Sequence, residues 1–373
     1  MPIATSLTKR FHLTHPIVQA PLAGGGDTPE LVATVSNAGA LGFIGAAYLT
    51  PSQILDAGRA VRERTSRPFG INLFAPLPAP ELSQPLEPAL GRLAPFFAEL
   101  GVPLPSEVAV QPLPFPEQLE ACLQTGAAAF SFTFGLLPAN AVAEIKRRGL
   151  FLLGTATTVS EARALADSHV DAIVAQGSEA GGHRGTFAAD FSDAMIGTMA
   201  LVPQVVDAVR LPVLASGGIM DGRGLAAALA LGAAGVQIGT AFLTCSESGV
   251  PETYREAILQ AREDQTRITR AFSGRPARGI SNRLLEAFAS GEAAESILPF
   301  PVQNALTRPL RSAAAKQGRS EFLSLWAGQA LRLARRQSAA ELISRIAAEA
   351  ENAIAALAQK AQALSHSGIP ASS

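Results

Sequence analysis

Lysine, cysteine, tyrosine and tryptophan are all scarce in this chain of 373 residues, and each shortage removes a class of function. The only lysines are Lys9, Lys146, Lys316 and Lys360. None falls at the end of a predicted strand, where a Schiff-base aldolase or a pyridoxal phosphate enzyme needs its amine. Cys122 and Cys245 are too far apart to form a disulfide framework or a zinc motif, so a reduced, cytoplasmic chain is expected. Cys245 has no cationic neighbour and reads as a buried thiol. Two tyrosines, one tryptophan and a net charge of −1 leave neither a base-stacking surface nor a basic stripe, so nucleic acid is not an expected partner. No cluster of His, Asp and Glu sits at strand ends, and no catalytic metal is expected. The N-terminal residues lack the apolar core of a secretory signal. Residues 224–246 carry no charge, but Gly232, Gly235, Gly239, Gln237 and Thr240 interrupt them. They read as helix, turn and strand rather than a membrane span.

What remains is a compact globular composition, 48% hydrophobic and 16% charged. Eight short apolar runs recur between residues 16 and 243, at 17–21, 41–48, 68–74, 128–135, 150–157, 171–177, 212–218 and 235–243. Most are continuously apolar rather than alternating, as strands buried on both faces are. Helical segments separate them. Thr28–Pro29–Glu30 and Thr50–Pro51 are helix starts, Thr158 or Ser160 opens another, and Asp221 a fourth, while Gly39, Gly149 and Gly232 follow helices. Eight such repeats predict an α/β fold, a (β/α)₈ TIM barrel, with an open doubly wound sheet as the alternative. Residues 75–126 form a proline-rich excursion with one or two helices. Residues 250–373 show no convincing strand and have helical periodicity at 251–265, 283–296, 319–336 and 338–364. The predicted division is a barrel at 1–249 and a helical, substrate-side region at 250–373, ending in a frayed tail at 366–373.

Barrel enzymes build their sites at the C-terminal ends of the strands. There the sequence places Asn72 on run three, Gln176 to Gly185 on run six, Ser216, Gly217 and Gly218 on run seven, and Gln237, Ile238, Gly239 and Thr240 on run eight. Glycines after run seven and a turn with a free hydroxyl after run eight form a phosphate cradle. Of five histidines, only His183 lies in a glycine-rich loop, behind Gly181 and Gly182, at a strand's end. It is the candidate catalytic residue. Glu179 and Arg184 read as surface charges or as an ion pair holding that loop. One imidazole and few other reactive groups suggest that a cofactor carries the chemistry.

The stretches PIVQAPLAGG (16–25), PFGINLF (68–74), QGSEAGGHRGTF (176–187), PVLASGGI (212–219), GVQIGTAFL (235–243) and PVQNALTRPLR (301–311) resemble the nitronate monooxygenases. Within them the chain looks like the class I group, the propionate 3-nitronate monooxygenases. The run-six motif is the most specific; SGG and IGT are common to many FMN and phosphate barrels. The resemblance implies an FMN cofactor touching Asn72, Gln176, Gly181, Gly182, Ser216, Gly217 and Gly218, with Gln237, Ile238, Gly239 and Thr240 around its phosphate. Ala20, Pro21 and Leu22 should lie against the isoalloxazine edge. His183 becomes the active-site histidine, either base toward a nitroalkane or contact to a nitronate anion. The implied partners are a small nitronate and O₂, with no nucleic acid and no membrane, in a monomer or a homodimer. Members of the group often line the substrate side with tyrosines, whereas here only Tyr48 and Tyr254 exist and Phe300 stands nearby. Arg308 is either a carboxylate anchor or part of a structural ion pair. Two rival functions stay open: an FMN-dependent NAD(P)H reductase of a quinone or enoyl thioester, and a silent flavin- or phosphate-binding module.

Overall fold

A computed structural model describes residues 3–77, 85–105, 107–108 and 114–366. All eight apolar runs become parallel strands of one sheet. They are β1 (Ile17–Gln19), β2 (Gly42–Gly45), β3 (Phe69–Phe74), β4 (Ala129–Thr133), β5 (Phe151–Ala156), β6 (Ala172–Gln176), β8 (Val213–Ser216) and β9 (Gly235–Ile238). A ninth short strand, β7 (Gly182–His183), falls between β6 and β8 but joins another sheet. The main sheet runs β1-β9-β8-β6-β5-β4-β3-β2. Its two edges meet through a bridge between Val18 and Leu41, with Gln19 N–H donating to Leu41 O (2.9 Å) and Leu41 N–H to Ile17 O (3.0 Å). The barrel is therefore nearly closed, as the sequence predicts, and not an open doubly wound sheet.

The crossovers form where their capping residues stand. Thr28, Thr50 and Thr158 each accept a backbone N–H at the start of α2 (Pro29–Asn37), α3 (Pro51–Arg62) and α7 (Val159–Asp167), and Asp221 does so for α9 (Gly222–Ala230). α6 (Ala139–Arg147) and α8 (Thr198–Ala208) complete the ring around β4–β8. The excursion between β3 and β4 holds α4 (Glu87–Glu99) and α5 (Phe115–Leu123). An N-terminal helix, α1 (Ser6–Phe11), was not legible as such. It closes the lower end of the barrel, where Leu7 and Phe11 pack with Val18, Phe43, Leu153, Val174 and Leu214. The interior thus starts apolar at the strand beginnings and turns polar at their ends, with Asn72, Ser131, Gln176 and Ser216.

The region beyond residue 250 departs from the sequence reading. It contains two strands, β10 (Thr266–Thr269) and β11 (Ala277–Ile280), which pair antiparallel with each other. β11 pairs in turn with β7, placing Ala277 opposite His183 and Arg278 opposite Gly182. Residues 319–336 are not one helix: they hold two short 3₁₀ turns, Ser320–Phe322 and Leu331–Leu333, and bond between these to other segments, with Ile280 N–H donating to Leu325 O and Gln329 N–H to Glu179 O. After the short α10 (Thr240–Leu243), true helices are α11 (Glu252–Gln260), α12 (Arg283–Ala287), α13 (Gly291–Glu295), α14 (Val302–Lys316) and α15 (Ala339–His366). Most of 250–331 shares one apolar core with α4, whereas Leu342, Ile343, Ile346 and Ala350 of α15 return to the barrel core. Among the described residues no helix is long and apolar enough to cross a membrane. Of the predicted tail at 366–373, His366 ends α15 and residues 367–373 lie outside the described residues.

Candidate active site

A cavity of about 540 Å³ opens at the C-terminal ends of the strands, within the range usual for small-molecule sites. Ala20, Pro21, Leu22, Asn72, Gln176, Gly181, Gly182, His183, Ser216, Gly217, Gly218, Gln237, Gly239 and Thr240 all line it. Ile238 is the exception, its side chain packed in the barrel core.

Two features fit the flat, phosphate-tailed ligand that the sequence implies. Gly217 and Gly218 have φ of 110° and 70°, a left-handed turn that keeps side chains off the cavity wall. A Cβ at Gly239 would stand in ordinary contact with Ala20 Cβ (3.7 Å) and Leu22 Cδ2 (3.8 Å), two residues of the same cavity wall. Asn72 donates to Ser131 Oγ at 2.8 Å, which orients its amide at the cavity floor. Thr240 is less free than the sequence suggests, because its Oγ1 accepts Gly328 N–H at 3.0 Å. Its own proton remains available to a ligand.

The loop carrying His183 is fixed from several sides. Gln176 Nε2 donates to His183 O (3.1 Å), and its Oε1 accepts Gly185 N–H (2.8 Å). Glu179 and Arg184 are neither surface charges nor partners of each other. Glu179 accepts Thr198 N–H at 2.9 Å at the start of α8. Arg184 is buried and donates to the carbonyls of Gly177 (2.6 Å), Gln176 (3.1 Å) and Ala194 (3.2 Å). Beyond the loop, buried Glu161 accepts from Thr157 N (2.7 Å), Thr157 Oγ1 (2.7 Å), Phe187 N (2.5 Å) and Ala188 N (3.0 Å). On the opposite rim Asp27 accepts Leu22 N–H (2.9 Å) and Gly45 N–H (2.5 Å), tying the end of β1 to that of β2. Burial pushes its carboxyl up to about 6.

His183 sits among aromatic rings: Trp326 at 5.4 Å between centroids, Phe134 at 5.9 Å and Phe300 at 6.4 Å. Its Nε2 lies 2.8 Å from Ser273 Oγ. Ser273 accepts Arg275 N–H (3.3 Å), and its single proton goes either to Arg275 O (3.2 Å) or, over the shorter distance, to Nε2 of His183. In the second arrangement the neutral ring carries its own proton on Nδ1. Burial, then the charges of Arg275 and Arg311, hold the imidazole down to about 3. It is therefore neutral at physiological pH.

Sequence reasoning missed several of these groups. Phe134 ends β4 with φ of 77°, rare for a bulky residue, and its ring carries the Arg275 guanidinium at 3.9 Å. Ser273, Arg275 and Trp326 come from the region read as wholly helical and carry no spacing that points to His183. The aromatic wall consists of Tyr48, Phe74, Phe134, Tyr254, Phe272 and Trp326. Phe300 touches the His183 ring. Arg308 and Arg311 of α14 also line the cavity. Arg308 has no ion pair among the described residues, so its reading as part of a structural pair is set aside. Cys122 and Cys245 are buried, free thiols outside the site.

Comparison with known proteins agrees with this geometry. The family model described as nitronate monooxygenase matches residues 5–349. A probable nitronate monooxygenase of Staphylococcus saprophyticus is 42% identical over 94% of this chain and 98% of its own. One from Staphylococcus aureus is 43% identical over 91% of this chain and 95% of its own. Among solved structures, nitroalkane oxidase from Streptomyces ansochromogenes is similar with a TM-score of 0.87 and 41% identity, covering 94% of this chain and 99% of that one. FabK from Thermotoga maritima is similar at 0.75 and 29% identity, covering 96% and 99%. From the sequence, the barrel and these likenesses together, the chain belongs to the nitronate monooxygenase family, oxidoreductases that work with a flavin.

Proposed function

We propose that the protein binds FMN and oxidises small nitronate anions with O₂, propionate 3-nitronate among them, to a carbonyl compound with nitrite or nitrate. The observation that carries this reading is a neutral imidazole, His183, in a cavity lined by arginine and, among the described residues, by no carboxylate. A group held near 3 is a weak base toward carbon, so abstraction of a proton from a neutral nitroalkane is not its task. With Ser273 donating to Nε2, the neutral ring carries its proton on Nδ1 and is suited to donate it to a nitronate that arrives already ionised. The positive field of Arg275 and Arg311, the two charges that depress His183, draws that anion in.

The residues present fit FMN: the Gly217–Gly218 turn and Gly239–Thr240 would hold its phosphate, Asn72, Gln176 and Gln237 its ring system, and Ala20 to Leu22 the ring edge. Bound there, FMN would supply the redox chemistry between the nitronate and oxygen. The chain's own part is to place the substrate, through His183 and the aromatic wall, and to exclude water from it. In this division residues 1–249 hold the flavin, and 250–373 supply the substrate side through Ser273, Arg275, Trp326 and α14. Two reduced, buried thiols support a cytoplasmic setting.

Anaerobic mixing of the holoprotein with propionate 3-nitronate, then separately with NADH, tests the reading through the flavin absorbance. Bleaching by the nitronate and recovery in air are expected. Bleaching by NADH alone would establish the alternative, a reductase of a quinone or enoyl thioester, which the likeness to FabK keeps in view.

A further inference from the structure

Arg275, in the turn between β10 and β11, is largely buried and yet does not line the cavity. Its guanidinium carbon lies 3.9 Å from the centre of the Phe134 ring, and Nη2 donates to Thr186 O at 2.6 Å. Nε is buried and has no hydrogen-bond partner among the described residues. No carboxylate pairs with the group there. Glu161 acts on it only at a distance, across the hydroxyls of Thr186 and Thr157, which stand 2.8 Å apart, the second donating to Glu161 at 2.7 Å. A cation placed in this way costs stability that an apolar side chain of similar length would not. The fold gains little from the charge, so its use lies in what it touches.

What it touches is the wall of the site. Phe134 lines the cavity, in edge-to-face contact with His183 at 5.9 Å and 82°, and packs 4.6 Å from Phe74 and 6.4 Å from Phe300. Its φ of 77° is a left-handed backbone that a bulky residue adopts only where its surroundings impose it. The guanidinium supplies that constraint from outside the cavity, because a cation over an aromatic face attracts the ring. The backbone of Arg275 reaches the imidazole as well: its N–H donates to Ser273 Oγ (3.3 Å), the hydroxyl 2.8 Å from His183 Nε2. The other groups around the imidazole are the uncharged rings of Phe300 and Trp326, with Arg311 of α14 the second cation that acts on it. Both cations oppose protonation of His183.

We propose that Arg275 is a positioning residue that clamps Phe134 against His183 and thereby fixes the imidazole toward the nitronate. This inference rests on the nitronate-oxidation reading and adds that a side chain outside the cavity governs the reacting geometry. Its test compares Arg275→Met and Arg275→Lys with the wild-type holoenzyme. Methionine fills similar space without charge; lysine keeps the charge without the planar face. In Arg275→Met, kcat/KM for propyl-1-nitronate should fall roughly 5- to 30-fold, the worth of a desolvated cation–π contact. The fall should lie mostly in kcat, while flavin content and melting temperature hold. Histidine-selective NMR reads the charge separately, with the His183 signal identified by its loss in His183→Asn. The His183 midpoint should rise in Arg275→Met and return toward the wild-type value in Arg275→Lys. A lowered melting temperature as the only change, with kcat/KM within threefold and the midpoint unmoved, overturns the proposal. So does loss of flavin from Arg275→Met, which would make the arginine a support of the cofactor cavity. Should that variant fail to fold, Arg275→Lys, Phe134→Leu and their double variant decide. Losses in kcat/KM that overlap by about fivefold support the clamp, and losses that simply multiply reject it. If wild-type protein oxidises no nitronate, the function reading fails by itself, and the His183 titration still decides whether Arg275 acts on the ring.

Discussion

Replacing Asp27 by asparagine should stabilise the protein at pH 8 about twice as much as at pH 5, and leave it unchanged only below pH 3.8. The carboxyl is raised from an ordinary 3.8 to about 6, chiefly by burial, although Leu22 and Gly45 donate to it. Between those two values the folded chain holds a proton that the unfolded chain has lost, so stability declines as pH rises through the window. Above it the folded state carries an ionised group in a poor environment. The upward displacement corresponds to about 3 kcal/mol at most, and residual solvent contact reduces this to roughly 1–3 kcal/mol. Asparagine keeps an acceptor oxygen for both N–H groups and has no charge to bury. With an unfolding entropy of about 2.1 cal/mol/K per residue, a chain of this length gains roughly 1–4 °C in melting temperature. Thermal unfolding of wild type and Asp27→Asn at pH 5 and pH 8 measures the difference. An equal shift at both pH values, or a loss at pH 8, would show that the carboxylate is stabilised where it stands and refute the reasoning.

Three further outcomes follow from the site. His183→Asn should keep its flavin and lose activity toward nitronate by 10- to 100-fold, the scale of a lost positioning hydrogen bond in the reacting complex; the wild-type rate should show no inflection near pH 6.5, because the ring is held down to about 3. A pH profile of kcat/KM between 5 and 8 checks the second point. The same depressed value means that His183 contributes stability above pH 6.5 that is lost as the pH falls toward 3, since only the unfolded chain takes up the proton there. Glu161→Ala should cost about 3–5 kcal/mol, as three backbone N–H groups and a threonine hydroxyl lose their acceptor; urea unfolding at pH 7 measures it, and a cost below 1 kcal/mol would mean that water replaces the carboxylate. Gly181→Ala would place its Cβ 2.5 Å from Gly328 N, so the segment that also caps Thr240 must move; a loss of about 1–3 kcal/mol with weaker flavin retention is expected, read by melting temperature and by flavin release on dilution.

The barrel was legible because its signals are local. Continuous apolar runs, threonine and aspartate caps and glycines after helices each act within a few residues, and every one stands where the sequence puts it. The strand-end lining of the cavity followed from the same signals. The substrate side did not, since it depends on pairings across long separations. β7 is only Gly182–His183, with no strand propensity of its own, and exists because β11 lies alongside. β10 and β11 have four residues each, too short to set a period. Residues 319–336 place Phe322, Leu325, Trp326 and Leu331 at intervals that imitate a helix, yet tertiary bonds from Ile280 and Gln329 hold the backbone open. Arg184 shows the same limit: its charge suggested the surface, while three carbonyls from separate turns draw it inside.

The pairing of Gly182–His183 with residues 277–278 has a consequence for how the molecule is made. When the ribosome has delivered the first 250 residues, every barrel strand is present, but Ser273 and residues 277–278, which brace the imidazole and its loop, have not been synthesised. The last third of translation therefore completes the setting of His183.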